Sequence, residues 1–247
     1  MLFLLFISTS FPIQLLGQQG EIQYGITSAD IIRVGTSPSC NFLKIQQAVD
    51  FISSQPLQNA VIINIEPGSY NEKIIIPELQ GASTDKNVII QKAPDMSGEV
   101  QVNFEVNSPV SGMPLMGVIN IKGTDHLTIK DLTIKTENTS LDAVVAVYGK
   151  SKHIKILNWN LTSPISTDYG RDINLLKMQA EDTEGRNNDS ILIQDCVFTG
   201  GYIGAKLGGT SYVALSKESG GKIINCLFQN QGSKAIYIQD EANCMII

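Results

Sequence analysis

Basic residues are absent before Arg33, although the chain opens on an apolar run, Met1 to Leu16, broken by Ser8, Ser10, Pro12 and Gln14. The run is short for a membrane span, which needs about 20 apolar residues. It also lacks the cationic start of an ordinary export signal; the expected reading is a cleaved signal whose start is truncated or atypical, the alternatives a membrane anchor or a misassigned start. Zinc-finger and thioredoxin-like chemistry are excluded, because the four cysteines (Cys40, Cys196, Cys226, Cys244) form no CxxC pair and no Cys/His spacing suited to zinc. Aromatic residues are only 6% and charged residues 17% of the chain. Positive charge is scarce overall: the formal net charge is −6 and the pI near 4.9. That balance draws in neither nucleic acid nor anionic lipid as a general partner, so the only membrane contact expected is through the N-terminal segment, and an acidic polysaccharide needs a local basic patch.

What is abundant is Ile and Val in short clusters between Gly, Asn, Asp and Ser, the composition of many short strands. Four segments align without gaps: Ile129 to Ile134, Ile156 to Leu161, Ile193 to Phe198 and Ile223 to Phe228. Each runs apolar, spacer, Asp or Asn, large apolar or Cys, spacer, apolar. Their starts are 27, 37 and 30 residues apart, a solenoid-like period. The Asp or Asn suits a one-residue corner because it tolerates left-handed backbone angles.

A further alternating run precedes each later unit: Val118 to Lys122, Val144 to Tyr148, Asn174 to Met178, Ile203 to Leu207 and Ala235 to Gln239. Three short strands per repeat imply an all-β fold, a right-handed three-sheet parallel β-helix whose stacked coils share one core. The residue after each corner points inward, so Leu132, Trp159, Cys196, Cys226 and Cys244 are expected to stack. The thiols are expected to be free, with a bridge between adjacent coils as the alternative. One amphipathic helix, from Asn41 as N-cap to Ser54, is expected to cover the first coil, ended by Pro56. The organisation expected is a signal at 1–19, a leader at 20–33 and the β-helix at 34–247, continuing beyond Ile247 because the sequence stops in a strand-like run.

The stretch Asn41 to Val49, followed by Val61 to Pro77 with its Pro67-Gly-Ser-Tyr-Asn-Glu72, resembles the opening of pectin methylesterases and related proteins of the pectin-lyase fold. The resemblance implies that fold and a secreted or cell-envelope protein acting near polysaccharide. Esterase chemistry in that family rests on two aspartates, one an acid/base and one a nucleophile, with Gln and Arg supporting the oxyanion. The first follows a strand resembling Cys196-Val-Phe198, where this chain reads Thr199-Gly-Gly-Tyr-Ile-Gly204; at the second it reads Ser233-Lys-Ala-Ile-Tyr-Ile238. Neither stretch holds a carboxylate, so pectinesterase activity is not expected.

Three constellations remain. If alternation holds, Tyr148, Lys177, Lys206 and Tyr237 face outward at spacings of 29, 29 and 31, with Lys122 extending the row, a carbohydrate-binding ladder of cations and rings for an anionic or pyranose chain; the plain alternative is an ordinary exposed strand face. Asp168, Asp172, Glu181, Asp182 and Glu184 form the densest acidic group, read as a solvated loop, as calcium ligands (calcium being the one cofactor considered) or as catalytic carboxylates. His126 and His153, 27 apart, are expected to stack at a corner, and a metal would need a third ligand. Function is therefore expected to be polysaccharide interaction, against a polysaccharide lyase or glycoside hydrolase and an adhesin or spacer module.

Overall fold

The structure is a computed structural model that describes residues 30–105, 117–137, 141–167, 173–179, 188–208, 218–239, 241–242 and 244–247. It is a right-handed parallel β-helix of three sheets. The first sheet stacks eight strands: Asp30–Val34, Val61–Ile65, Val88–Lys92, Leu127–Lys130, Lys155–Leu157, Leu192–Gln194, Lys222–Ile224 and Met245–Ile246. The second stacks Gly68–Asn71, Val100–Asn103, Thr133–Lys135, Asn160–Ile165, Val197–Gly201 and Leu227–Gln229. The third stacks Ile74–Ile76, Ile119–Lys122, Ala143–Tyr148, Asn174–Gln179, Ile203–Gly208 and Lys234–Gln239. Among the described residues the first strand, Asp30–Val34, already takes in the end of the segment expected to be a leader.

Alternation puts one side chain in two into the shared core. Ile129, Ile156, Ile193 and Ile223 lie in register on successive coils and are buried. On the second sheet Ile134, Leu161, Phe198 and Phe228 are likewise in register, and the two phenylalanine rings stack at 4.5 Å. Each fully buried side chain of this kind contributes about 1.5–3 kcal/mol.

The Asp/Asn corners form as expected. Asp131, Asn158, Asp195 and Asn225 have φ of 61°, 54°, 56° and 50°. Their side chains also bond between coils: Asn158 Nδ2 donates to Asp131 Oδ1 at 2.7 Å and Asn225 Nδ2 to Asp195 Oδ1 at 2.6 Å. After each corner, Leu132, Trp159 and Cys196 are buried, with Cys226 and Cys244 partly so. Cys40, Cys196 and Cys226 are free thiols, and among the described residues no disulfide joins the coils. A hydrogen bond from Cys196 draws the Cys226 thiol down to about 7, while the same bond and burial push Cys196 up.

The helix runs Ile45–Ser53, shorter at its start than expected, and Asn41 is not its cap. The Asn41 side chain is used otherwise, its Oδ1 accepting the Arg33 N–H at 2.8 Å, while Phe42 bridges to Val34. The helix start is served by Glu72 from the next coil, whose two carboxylate oxygens accept the N–H groups of Ile45 and Gln46 at 2.9 Å each. Anionic acceptors are favoured at a helix N-terminus. Gln46 closes the edge of the third sheet like a missing strand: its amide donates to Ile75 O at 3.1 Å and accepts from Ile75 N at 2.7 Å. Tyr70 in turn donates to Glu66 O at 2.8 Å. Glu72, the last residue of the Pro67 to Glu72 motif, thus fastens the helix to the next coil.

Candidate functional site

The outer face of the third sheet carries the residues expected to bind carbohydrate, but in two rows. Strand register aligns Ala146 with Lys177, Lys177 with Lys206, and Lys206 with Tyr237. Tyr148 aligns instead with Lys122 on one side and Gln179 on the other. The single five-residue ladder is therefore corrected to Lys177–Lys206–Tyr237 and, two residues further along the strands, Lys122–Tyr148–Gln179. Loop length is the physical reason: one coil from Tyr148 ends at Gln179, so the 29-residue spacing to Lys177 stops short of a full turn. Neighbouring strands lie about 4.8 Å apart and each residue advances about 3.3 Å, so the rows are about 7 Å apart.

Charge is distributed unevenly along the Lys177–Lys206–Tyr237 row. Lys177 has a side chain only 16% exposed and donates to Asp142 Oδ2 at 2.5 Å, so much of its charge is already answered. Lys206 and Tyr237 are half-buried, and the Lys206 ammonium lies 5.8 Å from the Tyr237 ring centre. Lys234 lies closer, at 4.5 Å, and the Tyr237 hydroxyl bonds Gln239 Oε1 at 3.2 Å. Two cations thus converge on one ring, within cation–π range. Sequence reasoning missed Lys234 because its place in the strand has the parity of inward residues. It also missed Asp142, which precedes the strand it faces.

The Lys122–Tyr148–Gln179 row ends at a cleft. Lys122 leads into Gly123 and Tyr148 into Gly149 and Lys150, all three with left-handed φ of 65°, 71° and 61°. A Cβ on Gly123 would sit 2.9 Å from the Gly149 carbonyl, so the two turns stack without room for a side chain. The cleft, about 290 Å³, is lined by Glu78, Leu79, Gln80, Gly81, Ala82, Gly123, Asp125, Lys150 and Lys152. Lys150 lies 4.0 Å from Glu78 and Lys152 3.4 Å from Asp189.

Other expectations fare differently. The acidic group Asp168, Asp172, Glu181, Asp182 and Glu184 lies outside the described residues. His126 and His153 do stack at a corner, with ring centres 4.4 Å apart and planes 14° from parallel. A third candidate ligand stands beside them: Asp125 Oδ1 lies 2.8 Å from His153 Nδ1. Among the described residues no helix is long and apolar enough to cross a membrane.

No protein-family profile and no curated protein matches the chain. Solved structures do. YbhC from Escherichia coli aligns at TM-score 0.50 and 12% identity, over 86% of this chain and 67% of that one. The GH136 lacto-N-biosidase from Eubacterium ramulus aligns at TM-score 0.61 and 10% identity, over 86% of this chain and 43% of that one. A pectin methylesterase from Aspergillus niger aligns at TM-score 0.49 and 14% identity, over 81% and 66%. At such identities the likeness is one of fold, and this chain spans less than half the length of the biosidase.

Proposed function

We propose that this protein binds an acidic polysaccharide along the outer face of its third sheet, with Lys206, Lys234 and Tyr237 as the centre of the site. The observation that carries the reading is the register that sets Lys177, Lys206 and Tyr237 on consecutive coils, with Lys234 brought onto the same ring. A pyranose chain offers C–H faces to an aromatic ring and, if acidic, carboxylates to ammonium groups. A chain laid across the coils meets one such group about every 4.8 Å. The patch stands out in a protein of net charge −6, so long-range attraction is weak and contact is local. In this reading the apolar Met1 to Leu16 segment exports the protein, which brings the face to polysaccharide outside the cell. That a glycan-acting protein such as the lacto-N-biosidase shares the fold supports the choice of ligand class, though fold alone does not assign function.

The test is affinity electrophoresis of the whole chain through polygalacturonate and through a neutral glucan. Retardation by the acidic polymer only, weakening as salt is raised and lost in Lys206→Ala/Lys234→Ala, is the expected result. Equal migration of wild type and variant would sink it. Appearance of new reducing ends or unsaturated uronate in the same samples would replace binding with hydrolysis or lyase chemistry.

A further inference from the structure

We infer that Asp125, His126 and His153 form a binding site for a borderline divalent transition-metal ion such as Zn²⁺, separate from the polysaccharide face. The two histidines stand at equivalent corners of successive coils, both left-handed, with φ of 50° and 51°. Lys152 bridges to Asp125 on one side and to Asp189 on the other, which puts His126, His153 and Ser190 one above another. Ser190 keeps the same left-handed turn at φ 56°. The backbone therefore asks at this corner only for a residue that tolerates positive φ, and two imidazoles in a row exceed that requirement.

The side chains converge. Asp125 Oδ1 lies 2.8 Å from His153 Nδ1 and 3.7 Å from His126 Nε2, and it also accepts the His126 backbone N–H at 2.8 Å. One ligand atom from each residue falls within 4.8 Å of the others. Two imidazoles and one carboxylate are a donor set for zinc and its neighbours, whereas calcium and magnesium prefer oxygen alone. Bonds of about 2.0–2.1 Å set ligand atoms about 3.4 Å apart, so the Asp125–His153 pair opens slightly while Asp125 and His126 draw together. That adjustment turns the near-parallel rings toward a common point. His153, whose side chain is 50% exposed, has room to turn. Asp125 also lines the cleft beside Lys150 and Lys152. An ion held here therefore sits at the edge of an open cleft, where a fourth ligand can reach it.

The chain has two histidines in all, which makes the test simple. Untagged, chelator-stripped protein is titrated with Zn²⁺ alone, followed by calorimetry and by the two imidazole NMR signals. The expected result is one ion bound per chain, both imidazole signals shifted together, and no displacement by Ca²⁺ in hundredfold excess. His126→Asn and His153→Asn keep a residue that tolerates the left-handed corner, and each is expected to weaken binding at least about tenfold, the lower end of what even supporting residues of metal sites cost. Zn²⁺ binding that leaves the imidazole signals unmoved, binding unchanged in the double variant, or no binding at millimolar Zn²⁺ would each overturn the assignment. The imidazole signals decide the question in the unaltered protein even where a variant fails to fold.

Discussion

The second and third sheets share one core and the same coils, yet their outer faces differ in kind. On the second, Asn71, Asn103, Lys135, Thr162, Thr199 and Gln229 stand in register, a row with a single charge. Part of that row satisfies itself: Gln229 Nε2 donates to Thr199 Oγ1 at 2.9 Å, and Asn103 accepts from Ser69 at 3.4 Å. On the third, cations and rings alternate with the buried positions, and two ammonium groups gather on Tyr237. Folding requires only that inward positions be apolar and corners left-handed, and both faces meet that requirement equally. The convergence of Lys206 and Lys234 on Tyr237 is thus not required by the fold, and ammonium groups beside a ring at the surface can engage a ligand.

Trp159→Ala empties the largest fully buried side chain of the shared core among the described residues and is expected to cost about 3–5 kcal/mol in denaturant unfolding, with binding lost alongside. Asn158→Ala acts on one side only: it removes the bond to Asp131 and places alanine at φ 54°, for an expected loss of about 2 kcal/mol. That corner leads into the second sheet, so polysaccharide affinity measured below the melting point should hold. Lys206→Ala/Lys234→Ala is expected to leave stability within about 0.5 kcal/mol and weaken polygalacturonate binding about tenfold or more, some 1.4 kcal/mol. The smallest effect belongs to the opposite face: Thr199→Ala/Gln229→Ala should change affinity less than about twofold, since one neutral hydrogen bond contributes only about 1 kcal/mol to stability and nothing to charge. A comparable loss from both double variants would erase the distinction between the faces.

How much of this was legible before the structure depended on whether the cause was local. The corners were, because Asp131, Asn158, Asp195 and Asn225 are the residue type a left-handed turn wants, and the apolar residues around them alternate. The inward placement of Trp159 and Cys196 followed from the same period of two. Register was not legible: nothing in the spacing reveals that the turn after Tyr148 returns at Gln179 and not at Lys177. Asn41 resembled a helix cap because its type is right, but Arg33 claims its side chain, and the helix start is held by Glu72 from another coil. Asp125 escaped notice for a similar reason, since its approach to His153 depends on two coils lying in contact.

The most direct test of the account is hydrogen–deuterium exchange with and without polygalacturonate at low salt. Protection is expected in Ile203–Gly208 and Lys234–Gln239 on the third sheet, with Val197–Gly201 and Leu227–Gln229 on the second unchanged. Protection of the second-sheet strands instead, or of neither pair under conditions where the polymer binds, would contradict it.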